Sequence, residues 1–351
     1  MTLHLRPAQF VDTPITQPDG TVARLAGGMQ WFAAYEVIEH GTRRTVPVAD
    51  VGSLGDRAAA LHAAITAPRP PLQLGERTLR LDQPLVAGIL NVTPDSFSDG
   101  GKHADDPAAA AAAGVDMAAA GAALIDLGGE STRPGAAQVW EGDEIARIVP
   151  VVERLARSGT PVSIDTRKAA VMEAALAAGA HIVNDVSALL WDDRALALVA
   201  KAQCPVVLMH SPDPKQGGHA RTDYRDVLIE VFDWLEARIA AVTAAGVARS
   251  RIIVDPGIGF GKSLAENLAL INGIAILHGL GCPIMLGASR KRMIGALDNE
   301  APVAARLGGS LAMALKGAEA GVQLLRVHDV APTVQALKVW RGLRDRALVG
   351  N

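Results

Sequence analysis

The chain has 351 residues, of which 49% are hydrophobic, and this is ample for a large core. Its formal net charge of −3 excludes the broad basic field that would attract nucleic acid or an anionic membrane, so neither is an expected partner. The cysteines Cys204 and Cys282 belong to no metal-binding or redox motif, and we interpret them as core thiols of a cytoplasmic protein.

The first 84 residues differ in pattern from the remainder. They mix strand-like and polar stretches, and Pro68–Pro71 is typical of a linker or an extended turn. The N-terminus has no apolar signal core. We therefore predict an N-terminal extension of unknown role over residues 1–84 and a larger domain over residues 85–351.

After Pro84 the same pattern repeats to the end of the chain: an apolar run, a polar or glycine-rich loop, and a helical stretch. Runs that are apolar on both faces are typical of parallel strands covered by helices. Repeated over roughly 250 residues, they predict an α/β fold of the (β/α)8 TIM barrel type. A doubly wound open sheet is the alternative, because periodicity does not report closure. The apolar runs are Leu85–Leu90, Ala123–Leu127, Pro161–Ile164, His181–Val183, Val206–Met209, Ile252–Val254, Pro283–Leu286 and Leu324–Val327.

Groups that can bind or ionise follow nearly every apolar run. In a barrel these positions converge on one face, where barrel enzymes hold their active sites. Helix capping is an alternative explanation for Asp, Asn and Ser at such positions, but it does not explain Lys291, Arg326 or His328. The set is Asn91, Asp126, Glu130, Asp165, Asn184, Asp185, His210, Asp255, Ser289, Arg290, Lys291, Arg326 and His328.

Two loops are the most specific motifs of the chain. Residues 88–101 read Gly-Ile-Leu-Asn-Val-Thr-Pro-Asp-Ser-Phe-Ser-Asp-Gly-Gly, and residues 126–135 read Asp-Leu-Gly-Gly-Glu-Ser-Thr-Arg-Pro-Gly. From Leu85 to the C-terminus the chain resembles the dihydropteroate synthase family, whereas the first 84 residues match nothing in that family. The other shared stretches are Ser163–Thr166, Asn184–Val186, Asp255–Gly257, Ser289–Lys291 and Arg326–His328.

The resemblance implies an enzyme of folate biosynthesis and a target of sulfonamides. It would join (7,8-dihydropterin-6-yl)methyl diphosphate to 4-aminobenzoate, releasing 7,8-dihydropteroate and pyrophosphate. The resemblance also implies Mg²⁺ as cofactor and a homodimer. The residues that match the family's pterin site are Asp165, Asn184, Met209, Asp255 and Lys291, and of these Asp165, Asp255 and Lys291 are the expected catalytic residues.

Two further groups of residues are carried over from the resemblance. Asn91 matches the residue that contacts the metal and the diphosphate, and Mg²⁺ prefers such oxygen ligands. Thr132, Arg326 and His328 complete the expected diphosphate site. Thr132 offers a hydroxyl, and Arg326 and His328, two positions apart on a strand, point the same way and can hold an anion between them. The expected 4-aminobenzoate site consists of Phe97, Arg133, Pro134, Lys291 and Arg292.

Residues 257–263 look like a phosphate-binding loop, but Pro256 stands where such a loop needs its first glycine. We therefore interpret Lys262 as a solvated loop charge or a minor member of the pocket. Two other functions stay open. A methyltetrahydrofolate-type methyltransferase domain would share the pterin carboxylates and the asparagine, and a pterin-binding paralogue would bind pterin without synthase activity.

Overall fold

The computed structural model describes residues 3–93, 106–131, 135–216, 218–220 and 223–349. Four residues predicted to bind substrates, Phe97, Thr132, Arg133 and Pro134, lie outside the described residues. Among the helices of the described part, none has both the length and the apolar character that crossing a membrane would require.

The N-terminal extension folds into an antiparallel sheet, a helix and a separate hairpin. In the sheet, β3 pairs with β1 on one side and with β2 and β4 on the other. The hairpin of β5 and β6 comes directly before the barrel. The elements are β1 (His4–Val11), β2 (Ala23–Arg24), β3 (Trp31–Glu39), β4 (Thr42–Pro47), α1 (Asp56–Thr66), β5 (Leu72–Leu74) and β6 (Arg77–Leu79).

Eight parallel strands then form one sheet in the order β12-β11-β10-β9-β8-β7-β14-β13. A parallel bridge between Val254 in β12 and Ile284, just before β13, joins the two ends of that order. The sheet is a TIM barrel, as predicted, and the open-sheet alternative is wrong. The strands are β7 (Leu85–Asn91), β8 (Leu124–Gly128), β9 (Val162–Asp165), β10 (Ile182–Asp185), β11 (Val206–Met209), β12 (Ile252–Asp255), β13 (Met285–Leu286) and β14 (Leu324–Val327).

Helices surround the barrel, and local chemistry explains where several of them begin. Asp106 accepts hydrogen bonds from the first turn of α2, and Asp226 does the same for α6. Ser263 and Glu266 form a reciprocal capping box at the start of α7. The helices are α2 (Pro107–Ala119), α3 (Glu141–Arg157), α4 (Ala169–Ala177), α5 (Ala195–Ala202), α6 (Val227–Ala244), α7 (Leu264–Gly273), α8 (Arg292–Leu297), α9 (Leu307–Glu319) and α10 (Val330–Val349).

The extension shares its apolar core with the outside of the barrel. Phe32 and Tyr35 of β3 are fully buried in the same cluster as Phe232 of α6. The ring of His4 packs edge-on against Phe232 at 5.1 Å, and His4 also hydrogen-bonds Asp233 at 2.6 Å. The sheet of the extension is therefore packed onto α6 as part of the domain.

The hairpin of β5 and β6 closes the end of the barrel at which the strands begin. Leu72, Leu74 and Leu79 are buried in a cluster with Leu124 and Ile182, which are the first residues of β8 and β10. Apolar side chains from the hairpin thus fill the floor of the barrel. The opposite end, where the strands finish, is therefore the end of the barrel at which a ligand site is expected.

Burial of His278 makes the stability of the protein dependent on pH. This histidine is fully buried beside Arg69 of the extension, and its Nε2 lies 2.9 Å from the carbonyl oxygen of Ala320. Burial, with a smaller contribution from Arg69, lowers its pKa from 6.5 to about 3. Below pH 6.5 the unfolded chain therefore takes up a proton that the folded chain does not bind, so stability falls as the pH falls towards 3.

We expect His278→Gln to remove this dependence. The difference in the free energy of unfolding between the wild type and the variant should be constant above pH 7. Below pH 6 this difference should shrink by about 1.4 kcal/mol per pH unit. Urea unfolding of both proteins between pH 4 and pH 8 measures the difference. A difference independent of pH would show that His278 has the same pKa in the folded and the unfolded chain.

Candidate active site

Polar side chains are the last residues of several strands of the barrel. Asn91, Asp165 and Asp255 are the last residues of β7, β9 and β12. We call this end, where the eight strands finish, the barrel mouth. Asn91 and Asp165 each pair in register with Gly128, which separates them, and Asn184 pairs with Asp165. Residues that are far apart in the chain are thus brought side by side.

Arg326 of β14 lies inside the barrel between two carboxylates. Its Nε donates to Asp126 Oδ2 at 2.5 Å, and its terminal NH2 group donates to Asp165 Oδ2 at 2.6 Å. Burial raises the pKa of Asp165 to about 7, although the guanidinium of Arg326 opposes that rise. The second oxygen of Asp165, Oδ1, is buried and has no hydrogen-bond partner among the described residues. An unpaired buried acceptor is costly, so a ligand that donates a hydrogen bond there would be stabilised.

Asp255 occupies the other side of the mouth. A Cβ added to Gly287 would lie 3.8 Å from both Asp255 Oδ2 and Arg326 Cδ, so the two side chains flank one small residue. Asp255 Oδ1 accepts a hydrogen bond from Gly257 N at 2.7 Å. Burial raises the pKa of Asp255, against the opposing effect of that hydrogen bond and of Lys291. Oδ1 of Asp255 therefore stabilises the following turn, which is the kind of local role that the capping explanation predicted. Oδ2 does not take part in that hydrogen bond.

Lys262 stabilises the turn that follows Asp255. Its Nζ donates to the carbonyl oxygens of Gly257 at 2.9 Å and of Phe260 at 3.1 Å. Burial lowers the pKa of Lys262 to about 7. The interpretation of Lys262 as a solvated charge is wrong, because the turn folds its own carbonyl groups around the ammonium group.

Lys291 stands directly before helix α8 and reaches over the same turn. Its Nζ lies 4.8 Å from the centroid of the Phe260 ring, within the range of a cation–π interaction. Gly259 has a φ of +84°, and a Cβ there would lie 3.3 Å from Lys291 Cδ. A glycine is thus required beneath the lysine, both for the backbone conformation and for space.

His328 follows β14 and is neutral at physiological pH. Its Nδ1 lies 3.1 Å from Ser289 Oγ. Burial, reinforced by Arg326, lowers the pKa of His328 to about 3. In the free protein His328 can therefore offer a hydrogen bond to an anion, whereas Arg326 supplies positive charge.

The chain is similar to known enzymes that bind pterins. The sequence profile of the pterin-binding enzymes matches residues 87–328. Dihydropteroate synthase of Neisseria meningitidis is 44% identical over 276 residues, which cover 77% of this chain and 96% of that protein. The Escherichia coli enzyme is 44% identical over 263 residues, covering 75% of this chain and 92% of that protein.

The chain belongs to the dihydropteroate synthase family. Among solved structures, Xanthomonas albilineans dihydropteroate synthase with 4-aminobenzoic acid has 48% identity and a TM-score of 0.74, over 79% of this chain and 99% of that one. The same enzyme in complex with 7,8-dihydropteroate has 46% identity and a TM-score of 0.71, over 79% of this chain and 100% of that one. The relatives are matched over nearly their full length, and about a fifth of this chain lies outside the match.

The residues of the mouth fit the Mg²⁺ that the dihydropteroate synthase family implies. A Cβ on Gly128 would lie 3.3 Å from Asn91 Oδ1 and 3.9 Å from Asp165 Oδ2, so both oxygens approach the same glycine. No group of three His, Cys, Asp or Glu side chains that could hold a metal occurs among the described residues. A metal here would take Asn91 as a protein ligand and obtain its other oxygens from a diphosphate and water.

The remaining predicted residues lie at different depths. Met209 is buried at the end of β11, beside Asp255 in register. Arg292 is exposed at the start of α8. Asp126 was predicted to lie among the polar groups at this end of the barrel but was given no role, and Phe260 was not selected. The position of Asp126 within an apolar strand was the one available signal, because a carboxylate buried in a barrel needs a cationic partner.

Proposed function

We propose that the chain is a transferase of folate biosynthesis that makes 7,8-dihydropteroate and pyrophosphate. Its substrates would be (7,8-dihydropterin-6-yl)methyl diphosphate and 4-aminobenzoate. The observation that carries this proposal is the gathering of Asp165, Asn184, Asp255, Lys291 and Arg326 around one mouth, in a chain that is similar to dihydropteroate synthases over nearly their full length. Such a site can hold a flat heterocycle and an anionic tail together.

The pterin ring would be bound through its aminopyrimidinone edge. That edge presents N–H donors beside a carbonyl group, and ionised carboxylates accept such donors in strong, charge-assisted hydrogen bonds. The unpaired oxygen of Asp165 and the free side of Asp255 suit these donors. Lys291, held above Phe260, would donate to the pterin carbonyl, and Met209 would pack against the ring.

The diphosphate would lie between Arg326, His328, Thr132 and Asn91. Arg326 has five N–H donors, and the two bonds to carboxylates leave others available to phosphate oxygens. Mg²⁺, held in part by Asn91, would supply further neutralisation of the diphosphate charge when bound. These contacts would stabilise the negative charge that develops on the leaving group.

The reaction would be a displacement at the exocyclic methylene carbon of the pterin. The nitrogen of 4-aminobenzoate forms the new C–N bond, the C–O bond to the diphosphate breaks, and the amine loses one proton. Because the diphosphate carries away the electron pair of the C–O bond, no covalent bond to the protein is needed. Catalysis would then depend on positioning and on stabilising the departing anion.

The aminobenzoate would be flanked by Phe97, Arg133 and Pro134, with Lys291 and Arg292 near its carboxylate. We expect Phe97→Ala to raise the KM for 4-aminobenzoate by about tenfold, since one lost aromatic contact costs about 0.5–1.5 kcal/mol. The KM for the pterin substrate should change little. Steady-state kinetics with each substrate varied in turn measures both constants, and an unchanged KM for 4-aminobenzoate would remove Phe97 from its site.

A direct assay tests the proposed function. The purified chain is incubated with both substrates and Mg²⁺, and pyrophosphate release and dihydropteroate formation are followed together. Equal amounts of both products are expected. Pterin binding without turnover would favour a non-catalytic paralogue, and transfer of a methyl group from methyltetrahydrofolate would favour a methyltransferase domain.

We also propose a cytoplasmic homodimer. The apolar side chains of Val339 and Leu343 are exposed one turn apart on α10, which suits contact with a second copy. Cys204 and Cys282 are free, buried thiols, which suits a reducing compartment. Light scattering of the intact chain tests the dimer, and cell fractionation tests the location.

A further inference from the structure

Asp126 is a fully buried carboxylate at the centre of the site, and neither substrate has been assigned to it. It lies in the middle of β8, paired in register with Ile89 of β7 and Ser163 of β9. Its side chain contacts Arg326 on β14 and Asn184 on β10, which are each two strands away on opposite sides. The carboxylate therefore lies inside the barrel.

The contact between Asp126 and Asn184 fixes the orientation of the amide. Asn184 Nδ2 lies 3.3 Å from Asp126 Oδ1 and 3.1 Å from Oδ2. An ionised carboxylate can only accept hydrogen bonds, so the amide must turn its NH2 group towards it. The opposite orientation would set the amide oxygen against two acceptors.

The other contact of Asp126 is with Arg326. Its Oδ2 also accepts a hydrogen bond from Arg326 Nε. With Arg326 on one side and the Asn184 amide on the other, the carboxylate meets donors only. The amide oxygen of Asn184 is thereby turned away from Asp126, and among the described residues it accepts no hydrogen bond.

We propose that Asp126 is a positioning residue, which holds the Asn184 amide so that its oxygen, and not its NH2 group, faces the pterin. This inference rests on the pterin-binding role of Asn184 proposed above. It makes the pterin side of the site a continuous set of acceptors, formed by the Asp165 carboxylate, the Asp255 carboxylate and the Asn184 oxygen. Such a set selects a ring edge that carries several N–H donors and disfavours a ring that presents acceptors there.

The variant Asp126→Asn should reverse the orientation of the neighbouring amide. The new amide at position 126 must point its oxygen at Arg326 Nε, so its NH2 group faces Asn184. Asn184 then turns its oxygen inwards and presents its NH2 group to the pterin. We expect the Kd for (7,8-dihydropterin-6-yl)methyl diphosphate to rise by about 10- to 100-fold, as expected for an unpaired buried donor.

A second exchange should restore the acceptor. In the double variant Asp126→Asn/Asn184→Asp, the new amide donates to the new carboxylate, which again presents an oxygen to the pterin. The net charge of the site is unchanged. We expect the double variant to bind the pterin diphosphate at least about five times more tightly than Asp126→Asn, measured by calorimetric titration. A purely structural role for Asp126 predicts instead that the two substitutions add their losses.

Asp116→Asn, on the exposed face of α2, is the matched control for removing one carboxylate. Additive losses in the double variant, or an unchanged pterin affinity in Asp126→Asn, would overturn the inference. If wild-type protein neither binds nor turns over the pterin diphosphate, the proposed function itself fails, so the two failures are distinguishable.

A measurement on the wild type covers the case in which the variants do not fold. The ¹⁵N–H₂ signals of Asn184, assigned by their loss in Asn184→Ser or by backbone connectivity, report which group meets the ligand. The NH2 proton that points at Asp126 should exchange slowly with water before and after the pterin diphosphate is added. Rapid exchange of both NH2 protons in the free protein that becomes slow only with ligand would mean that the NH2 group faces the pterin, and the inference would be wrong.

Discussion

Asp255→Asn is expected to lower kcat/KM for the pterin substrate by about 10²–10⁴-fold, since losing two charge-assisted hydrogen bonds costs about 3–6 kcal/mol. The substitution keeps the shape of the side chain, and an amide oxygen can still accept the hydrogen bond from Gly257 N. The turn that carries Lys262 and Phe260 should therefore survive. What changes is the oxygen facing the ligand, which becomes an NH2 group opposite another donor.

The kinetics of both substrates and the melting temperature together test this result. Asp116→Asn, on the exposed face of α2, removes the same charge away from the mouth and should leave both activity and stability unchanged. A kcat/KM within threefold of wild type for Asp255→Asn would remove Asp255 from the pterin site. A lowered melting temperature with equal losses for both substrates would instead indicate a structural role.

Removal of residues 1–69 is expected to cost the protein most of its stability. The truncated chain would begin at Pro70 and keep the hairpin that fills the barrel floor. It would expose Phe232 and the neighbouring Leu277 and Leu280, which are buried in one cluster with the extension. Exposing three such side chains costs about 4.5–9 kcal/mol, a large part of a typical stability of about 5–15 kcal/mol. Aggregation, or a much lower melting temperature, should follow.

A second truncation, starting at Pro84, separates the two parts of the extension. It also removes the hairpin, and so opens the floor cluster around Leu124 and Ile182. We expect it to be less stable than the chain that starts at Pro70. Size-exclusion chromatography, thermal melting and the synthase assay compare the three lengths. A chain from Pro70 that stays monodisperse and melts like the wild type would show that the sheet and α1 form an independent module.

The apolar runs in the sequence predicted the barrel strands well. Parallel strands in a barrel are buried on both faces, so nearly all of their residues are apolar. The third run was predicted at Pro161–Ile164, one residue before the observed strand at both ends, Val162–Asp165. The fourth run was predicted to stop at Val183, whereas the strand continues to Asp185. Barrel enzymes carry polar functional groups at the ends of their strands. The apolar pattern therefore stops before the strand does, and the predicted end comes too early. The same residues were the signal for the site.

The extension was harder to interpret from its sequence. Pro68–Pro71 has the composition of a linker, yet Arg69 within it is buried and donates to the carbonyl oxygen of His278 at 3.0 Å. Amino-acid composition alone does not distinguish an exposed linker from a segment that is buried against the rest of the protein. Lys262 was misjudged for a similar reason, because only the folded turn brings carbonyl groups to its ammonium group.

The sequence by itself determined the alternation of strands and helices and the family, and it predicted which residues would face the substrates. Each of these depends on patterns of residues that are close together in the chain. The tertiary structure alone decided that the sheet closes, that the extension packs on α6, and that Arg326 is shared between Asp126 and Asp165. Those facts join residues up to 229 positions apart, as in the contact of His4 with Asp233. Their geometry follows from closure of the barrel, which no local pattern of residues specifies.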